Sequence, residues 1–354
     1  MSSEKRNIRS LSTAELIAFF AEIDQPRFRA DQVEQWLWQK QVKSFDEMTN
    51  LPKEVRPQLE AHFVVNELTI AEEQLSDDGT VKLAFQLHDG RVVEGVLIPA
   101  GDRMTACISS QVGCSLTCKF CATGRLKRMR NLDPDEIFDQ VVAIKAMAKK
   151  YYDKPLTNVV YMGMGEPLLN YKNVLTSIDR ISDDVGLGMS PKRITVSTAG
   201  ISKMIQKLAE DTVRFRLALS LHAANDAKRS EIMPINEQNS LDSLAESLAY
   251  FHENTRNRVT YEYIIFKGFN DTLKDADELI SFHKKIPGRV NIIEYNPIDE
   301  GEFEQADPEK VDAFAQHLER NGVNVNIRRS RGKDIDAACG QLANKNQIAN
   351  EVAP

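Results

Sequence analysis

The sequence predicts an α/β fold in which a small N-terminal helical domain and a linking β-hairpin precede a partial (β/α)6-type barrel. Three observations predict it. The first 65 residues carry helix-start signatures, a hairpin turn follows near residue 90, and strand and helix patterns alternate from residue 104 onward. A chain of 354 residues can hold one large and one small domain. The predicted segments are 1–65, 66–100, 101–342 and a polar tail, 343–354.

The N-terminal segment is predicted to be helical. Ser12 and Glu15 have the spacing of a capping box and lead into the apolar stretch LIAFF. The same spacing recurs at Ser44 and Glu47, and ADQVEQWLWQK between them keeps a helical pattern. We therefore expect a helical accessory domain over residues 1–65.

The hairpin is predicted by two strand-like stretches on either side of a turn. TVKLAFQL alternates apolar and polar residues, Asp89-Gly90 favours a tight turn, and RVVEGVLIP returns. Glu94 lies on the returning strand in a row of apolar residues. A carboxylate in such a row is paired, mobile or used chemically, because an isolated buried charge is unfavourable.

The rest of the chain alternates between strands and helices. Asp133-Pro134 and Asp307-Pro308 each combine an N-cap with proline at the first helical position, and Gly322 favours the end of the second helix. Parallel β/α folds gather their chemistry at the carboxyl ends of the strands. The candidate strands are MTACISS, NVVYMGM, RITVSTA, RLALSLH, VTYEYIIF, VNIIEYN and VNVNIRR.

Composition narrows the class of protein. The chain is 42% hydrophobic and 27% charged, has no apolar run long enough to span a bilayer, and lacks the apolar segment of a signal peptide near its start. We therefore expect a cytoplasmic protein with no membrane partner. Five cysteines are an odd count, which does not favour a disulfide framework. A net charge of −7 argues against a nonspecific nucleic-acid binder.

Two basic clusters interrupt this acidic background. Each alone would be interpreted as a solvated loop, but both neighbour cysteines, which predicts an anionic partner at that site. Their members are Lys119, Arg125, Lys127, Arg128 and Arg130 in the first cluster, and Arg328, Arg329, Arg331 and Lys333 in the second.

Three of the five cysteines form the motif C-x3-C-x2-C after the first barrel strand. Cys114, Cys118 and Cys121 could hold a metal or a cluster. A zinc site would need a fourth ligand, and the closest following histidine is His222. Redox dithiol chemistry would leave Cys114 idle. Three thiolates on four irons would leave one iron open for a substrate.

This motif at the opening of a β/α barrel resembles the radical-SAM superfamily. The resemblance implies a radical-SAM barrel in which the three thiolates hold one [4Fe-4S] cluster and the open iron binds S-adenosylmethionine. Met162 to Pro167 looks like the family's "GGE"-type motif. Residues at the ends of four predicted strands look like a binding ring for S-adenosylmethionine: Gly165, Glu166, Ser197, Ser220, Leu221, His222 and Asn296.

The whole chain resembles the radical-SAM adenine-carbon methyltransferases of RNA, the RlmN/Cfr type. The matching stretches are VVEGVLIP, ISSQVGCSLTCKFCATG, MGMGEPLLN, ITVSTAG, LALSLHA, IMPIN, EYNP and RRSRGKDIDAACGQL. The long helical N-terminal part favours the RlmN branch over the Cfr branch, and the resemblance makes that part an RNA-binding accessory domain.

The resemblance implies a mechanism that uses two molecules of S-adenosylmethionine per turnover. The first methylates Cys339, and the second gives the radical that takes a hydrogen from this S-methyl group. The resulting carbon radical adds to adenine, Glu94 accepts the ring proton, and Cys107 releases the RNA by forming a disulfide with Cys339. The enzyme then needs a disulfide reductant, besides an electron donor for the cluster.

The implied substrates are an adenosine at the peptidyl-transferase centre of 23S rRNA and the adenosine just after the tRNA anticodon, both methylated at C2. The residues alone do not distinguish C2 from C8 methylation of the Cfr type. Two other classes of protein stay open at this point. One is a radical-SAM enzyme that acts on a protein or small molecule, and the other is a non-catalytic RNA-binding module stabilised by a bound metal.

Overall fold

The structure, a computed structural model, describes residues 5–345. Within that range the helices are α1 (Thr13–Glu22), α2 (Phe28–Glu34), α3 (Val55–His62), α4 (Pro134–Tyr152), α5 (Tyr171–Ser182), α6 (Ser202–Glu210), α7 (Asp226–Ile232), α8 (Leu241–Thr255), α9 (Leu273–Lys285) and α10 (Pro308–Arg320). The strands are β1 (Arg6–Asn7), β2 (Phe63–Val64), β3 (Thr69–Leu75), β4 (Val81–Gln86), β5 (Val92–Ala100), β6 (Arg103–Cys107), β7 (Gln111–Val112), β8 (Arg130–Asn131), β9 (Asn158–Tyr161), β10 (Ile194–Thr198), β11 (Arg216–Ser220), β12 (Thr260–Ile265), β13 (Arg289–Glu294) and β14 (Asn324–Arg328).

The N-terminal part is helical. The predicted capping box at Ser12 opens α1, with the Ser12 Oγ accepting from the Glu15 amide at 3.2 Å. A π-helical turn, Gln35–Gln39, extends α2, and the second capping box precedes a short 3-10 turn rather than an α-helix. β1 pairs in parallel with β2, so the two ends of this part lie side by side.

A buried arginine fastens the N-terminal part to α4. Arg9 donates to both carboxylate oxygens of Asp139 at 2.7 Å, and its Nε lies 3.4 Å from Asp135. The Trp38 ring packs edge-on against Phe138, with centroids 5.3 Å apart. Because all of these groups except the partly exposed Asp139 are buried, the contact is a packed and charge-paired junction.

One open ten-stranded sheet organises the rest of the described chain, in the order β14-β13-β12-β11-β10-β9-β6-β5-β4-β3. The seven strands from β14 to β6 run parallel to one another. The sheet has free edges at β14 and β3, so the barrel is partial. The predicted α/β fold with a partial barrel is confirmed.

The predicted hairpin is part of this sheet. β4 and β5 pair as expected, with Ala84 opposite Glu94, and β5 pairs antiparallel with β6 through Val96 and Cys107. The sequence analysis did not predict β3, because TIAEEQL is a partly exposed edge strand with little apolar alternation. Because β5 pairs with β6, the strand that carries Glu94 lies next to the strand that ends at Cys107.

Both predicted helix starts in the barrel are present in the structure. Asp133 caps α4 in a capping box, and Asp307-Pro308 opens α10, which packs on β14. Gly322 follows α10 with φ +78°, a conformation that glycine adopts readily. Within residues 5–345, no helix is long and apolar enough to cross a membrane.

Candidate active site

The loop after β6 folds around its own cysteines. The Cys121 amide donates to the Cys118 carbonyl at 3.3 Å, and the Gly124 amide donates to the Cys121 carbonyl at 3.0 Å. A Cβ at Gly124 would lie 2.9 Å from the Cys118 oxygen, so this turn requires glycine. We call residues 114–121 the cysteine loop, and Cys114, Cys118 and Cys121 the loop cysteines.

The loop cysteines face a cavity at the carboxyl ends of the parallel strands. This cluster cavity holds about 900 Å³ of empty space, including its open mouth. Ends of β9 to β14 supply its walls. The predicted site residues that line it are the loop cysteines, Gly165, Glu166, Ser197, Ser220, His222 and Cys339. The fold therefore brings together nine of the thirteen predicted residues.

Glu166 joins the turn after β9 to the end of β10. Its Oε2 accepts from the Ala199 amide at 2.8 Å and its Oε1 accepts from the Leu168 amide at 3.0 Å. Burial raises the pKa of Glu166 although these amides oppose the shift. Beside it, the hydroxyl oxygens of Ser197 and Ser220 lie 3.4 Å apart on neighbouring strands. These residues form a polar wall opposite the cysteine loop.

His222 is held as a neutral ring after β11. Its backbone has φ +56°, and its Nδ1 accepts from the Ile264 amide at 3.1 Å. Burial, and then the charge of Arg229, lower the pKa of His222 to about 3. The proton of the neutral ring therefore lies on Nε2. The ring packs edge-on against Phe120 of the cysteine loop, with centroids 4.7 Å apart.

The segment that carries Cys339 is hydrogen-bonded to the two residues that directly follow the cysteine loop. The Ala122 amide donates to the Gly340 carbonyl at 2.7 Å, and the Thr123 hydroxyl donates to the Leu342 carbonyl at 2.6 Å. Cys339 is exposed and lines the cluster cavity. These contacts place an accessible thiol at the mouth of the cavity.

Asn296 and Leu221 lie beside the cluster cavity without lining it. The Asn296 Nδ2 donates to the Cys339 carbonyl at 3.2 Å, while its Oδ1 is buried and has no hydrogen-bond partner in the described part of the chain. An unpaired buried acceptor is unfavourable and is suited to a ligand that donates. Leu221 is fully buried, and its carbonyl accepts from Arg229 at 3.1 Å.

Cys107 is a buried neighbour of Cys339, at the end of β6. Both thiols are free. Burial, reinforced by the nearby Cys339, raises the pKa of Cys107 to about 12, and the Arg328 guanidinium opposes that shift. The fold thus brings together two cysteines that are 232 positions apart in the sequence, the difference between 339 and 107.

Glu94 lies outside the cluster cavity. It is 2% exposed and lines a separate cavity. Its Oε2 accepts from the amides of Ala343 and Asn344 at 2.9 and 3.0 Å, and the Lys82 Nζ lies 3.5 Å from its Oε1. The first residues of the predicted polar tail are therefore hydrogen-bonded to Glu94, whereas residues 346–354 lie outside the described residues.

Comparison with known proteins identifies the family. The model described as "Ribosomal RNA large subunit methyltransferase N-terminal domain" matches residues 6–65, and "Radical SAM superfamily" matches residues 108–282. A Cytophaga hutchinsonii protein named "Probable dual-specificity RNA methyltransferase RlmN" is 60% identical over 97% of this chain and 94% of its own length. The chain belongs to the RlmN family of radical-SAM methyltransferases.

Two further relatives agree with this family. A Flavobacterium psychrophilum protein of the same name is 55% identical over 98% of this chain and 99% of its own length. The crystal structure of a radical SAM methyltransferase from Sphaerobacter thermophilus superposes with a TM-score of 0.88 and 38% identity. That match covers 95% of this chain and 99% of the other. The RlmN-family chain is a SAM-dependent RNA methyltransferase.

The family's cofactors are one [4Fe-4S] cluster and S-adenosylmethionine, and the loop cysteines fit the cluster. Burial raises the pKa of Cys114 to about 11 and raises the pKa of Cys118 and Cys121 as well, so bare thiolates there are unfavourable. Iron supplies the positive charge that makes thiolate favourable. Residues 5–345 contain no group of three His, Cys, Asp or Glu side chains placed to hold a single metal ion. The loop cysteines would instead hold a cluster, which contains several irons and does not require its ligands to converge on one ion.

Three charged residues of this RlmN-family site were not predicted as site residues. Glu262 and Arg328 line the cluster cavity as an ion pair, with 3.0 Å between Arg328 Nη1 and Glu262 Oε2. Arg229 is fully buried and donates to the Ala199 and Ser220 carbonyls at 2.6 and 3.2 Å, which ties two strand ends together. No sequence signal marked Glu262 and Arg229, because single charged residues on strands and helices resemble solvated positions, and Arg328 stood out only as a member of the second basic cluster.

The basic clusters are largely paired within the protein. Arg125 donates to two backbone carbonyls at 2.7 Å, and Arg130 pairs with Asp89 and Glu136. In the second cluster Arg328 is turned inward, and Arg329 and Lys333 pair with Glu294. Arg328 thus binds an internal carboxylate, and the anionic partner at this site stays a prediction. Among described residues, the exposed cations without a carboxylate partner in the two clusters are Lys127, Arg128 and Arg331.

Proposed function

We propose that the chain methylates C2 of an adenosine in the peptidyl-transferase centre of 23S rRNA and of the adenosine 3′ to the anticodon in tRNA. The observation that supports this proposal most directly is the position of Cys339. An accessible thiol lies on the cysteine loop at the mouth of the cluster cavity, with a second free thiol, Cys107, as its buried neighbour. A methyl carrier needs access to the methyl donor on one side and to RNA on the other. The name of these relatives, dual-specificity RNA methyltransferase, supports two RNA substrates.

The loop cysteines would hold the cluster in this proposal. Bound there, the cluster and S-adenosylmethionine supply one-electron chemistry and the methyl group. The neutral His222 ring offers a donor at Nε2 and the unpaired Asn296 Oδ1 offers an acceptor. We assign the binding of S-adenosylmethionine to Gly165, Glu166, Ser197, Ser220, Leu221, His222 and Asn296.

Cys339 would carry the methyl group between the two halves of the reaction. Its sulfur gives up its proton to solvent, attacks the methyl group of the first S-adenosylmethionine and becomes a thioether, and S-adenosylhomocysteine leaves. An aromatic C–H carbon of adenine is a poor nucleophile, which is why a carbon attached to a protein sulfur is needed in place of direct transfer. The main-chain contacts of Gly340 and Leu342 hold this segment against the residues that follow the cysteine loop, while Cys339 stays exposed.

Glu94 and Cys107 would complete the reaction. Glu94 takes the ring proton from the adenine that is attached to Cys339, and the buried contact with Lys82 holds its carboxylate in place. The Cys107 sulfur then attacks the Cys339 sulfur, so that the disulfide forms while the bond between the Cys339 sulfur and the methylene carbon breaks. That carbon takes up the proton released by the Cys107 thiol and becomes the methyl group of the RNA. The unpaired electron left by the radical addition would return to the cluster that supplied it. A dithiol reductant must regenerate both thiols, and an electron donor must serve the cluster. We place the reaction in the reducing cytoplasm, where both RNAs occur.

Mass analysis of methylated nucleosides tests this proposal. The anaerobically reconstituted protein is incubated with S-adenosylmethionine, reductant and either an unmodified 23S rRNA fragment or unmodified tRNA. We expect 2-methyladenosine in both RNAs, and none in either RNA with the Cys339→Ala protein. A product of 8-methyladenosine would instead assign the protein to C8 chemistry. No methylated adenosine in either RNA from an iron-loaded protein would overturn the proposal.

A further inference from the structure

A second polar cavity lies beside Glu94, and neither the predicted chemistry nor the cluster accounts for it. It contains about 580 Å³ of empty space including its mouth, and Glu94 lines it but not the cluster cavity. Its other charged walls come from the antiparallel strands β3 and β4 and from the C-terminal segment: Glu72, Lys82, Asp334, Asp336 and Lys345. The buried carboxylate therefore has its own polar route toward water.

Lys82 is the cation that faces Glu94. It lies on β4, where Ala84 is opposite Glu94 of β5, so the two charged side chains are diagonal neighbours on paired strands. The Lys82 side chain is only 10% exposed, and its Nζ lies 3.5 Å from the Glu94 Oε1. Burying an ammonium group is unfavourable unless it is paired, so its position beside Glu94 requires an explanation.

The other charged groups around this cavity are engaged elsewhere. The Lys345 Nζ is bound to Asp336 and Asp299 at 2.9 and 2.7 Å, and Glu72 accepts from Gln74 at 2.6 Å. Asp334 accepts from the Ser76 hydroxyl and the Asp77 amide. Among the described residues, Lys82 is the cation that pairs with Glu94.

The two oxygens of Glu94 have different surroundings. The Oε2 accepts from the backbone amides of Ala343 and Asn344, and the Asn344 side chain donates to the Val92 carbonyl at 2.8 Å. These contacts hold the carboxylate against the C-terminal residues that follow Cys339. The Oε1 faces Lys82. A carboxylate held between an ammonium group and two amides is fixed in one orientation.

We propose that Lys82 is a positioning residue for Glu94 and that the proton taken from adenine leaves through the Lys82 cavity. The inference rests on the proposed role of Glu94. The ring C–H gives its proton to a Glu94 oxygen, and its bonding electrons stay with the adduct. The protonated Glu94 then passes this proton to a water molecule in the Lys82 cavity and returns to the carboxylate, while the ammonium group of Lys82 stays charged throughout.

The test compares Lys82→Met with Lys82→Arg in single-turnover reactions, using RNA that carries either hydrogen or deuterium at adenine C2. Lys82→Met should methylate Cys339 within about twofold of the unaltered protein. It should release methylated RNA about 10- to 100-fold more slowly and accumulate the protein–RNA adduct. Because removal of the C2 proton then limits the rate, the deuterium isotope effect on the release of methylated RNA should rise. Lys82→Arg should restore most of the rate.

Lys310→Met is the matched control. Lys310 Nζ lies 2.8 Å from the buried carboxylate of Asp271, so this variant also removes a lysine from a buried acid, but outside both cavities. It should show no change in isotope effect and no adduct. The proposal is overturned if Lys82→Met releases RNA at the unaltered rate, or slows with an unchanged isotope effect. It is also overturned if Cys339 methylation falls as much as RNA release, since Lys82 would then be structural. If the unaltered protein makes no 2-methyladenosine, the proposed function itself fails.

Discussion

Replacing Cys107 should trap the protein on its RNA. In the proposed reaction, the adduct joins adenine to the Cys339 sulfur, and Cys107 is the nucleophile that releases it. Cys107→Ala should therefore bind its cluster, methylate Cys339 and attack RNA, but remain covalently attached to the RNA. Cys339→Ala should form no adduct, because the methyl carrier is missing. Two merely structural thiols would give two similar, destabilised variants.

The structure also sets the reactivity of Cys107. Burial, then the nearby Cys339, raise the pKa of Cys107 to about 12. An unperturbed thiol has a pKa of about 8.5, so at pH 7.5 the thiolate fraction of Cys107 is smaller by roughly 10³-fold. A raised thiol pKa means less thiolate at neutral pH. We therefore expect alkylation of Cys107 to be slow in the RNA-free protein, and to rise about tenfold per pH unit up to pH 10.

Both effects have direct measurements. Denaturing gels of protein purified from cells, with and without ribonuclease, reveal the adduct, and mass spectrometry follows iodoacetamide labelling of Cys107 against pH. Val96→Ala is the matched control, since Val96 is buried opposite Cys107 on β5 and its truncation leaves the thiol in place. This control should carry no RNA. An RNA-free Cys107→Ala protein with normal iron content would refute the role of Cys107, and a labelling plateau near pH 8.5 would refute the pKa argument.

Three other predictions follow from the site. Alanine at any one of the loop cysteines should abolish iron binding and cleavage of S-adenosylmethionine, and full iron content in such a variant would remove the cluster assignment. Glu94→Gln should leave Cys339 methylation intact and slow RNA methylation by about 10²- to 10⁴-fold in single-turnover assays; a normal rate would exclude Glu94 as the base. Arg331→Gln should lower the salt slope of RNA binding by about one, whereas Arg328→Gln should lower the melting temperature without changing that slope. Equal slopes for both variants would contradict the distinction between an exposed arginine and one that is paired with an internal carboxylate.

Local signals were enough to predict the elements that the local chain controls. The capping box at Ser12 and the N-cap of α4 at Asp133 form as predicted, because each involves residues only three positions apart. The alternation of strand and helix patterns predicted the α/β fold with its partial barrel. The cysteine loop belongs to the same group: its three thiols lie within eight residues, so their proximity is guaranteed by the chain itself.

Edge strands and charge pairs could not be predicted by the same reasoning. β3 forms because its backbone pairs with β4, and backbone pairing on an edge requires no particular side-chain pattern. Arg328 belonged to a basic cluster in the sequence, yet it turns into the cluster cavity toward Glu262 of a neighbouring region of the sheet. Whether a basic residue faces solvent or an internal acid depends on strand neighbours that the sequence order does not reveal.

The amino-acid sequence by itself determined the fold class, the cluster motif and the set of strand ends where site residues gather. Only the tertiary structure decided which groups meet. It brings Cys107 beside Cys339, and it covers Glu94 with the amides of Ala343 and Asn344, about 250 positions away. Periodicity and motif spacing report the surroundings of a residue within a few turns or one strand. The partners of a buried charge or thiol are set by how the ten strands are ordered in the sheet, because only that order brings distant segments within hydrogen-bonding distance.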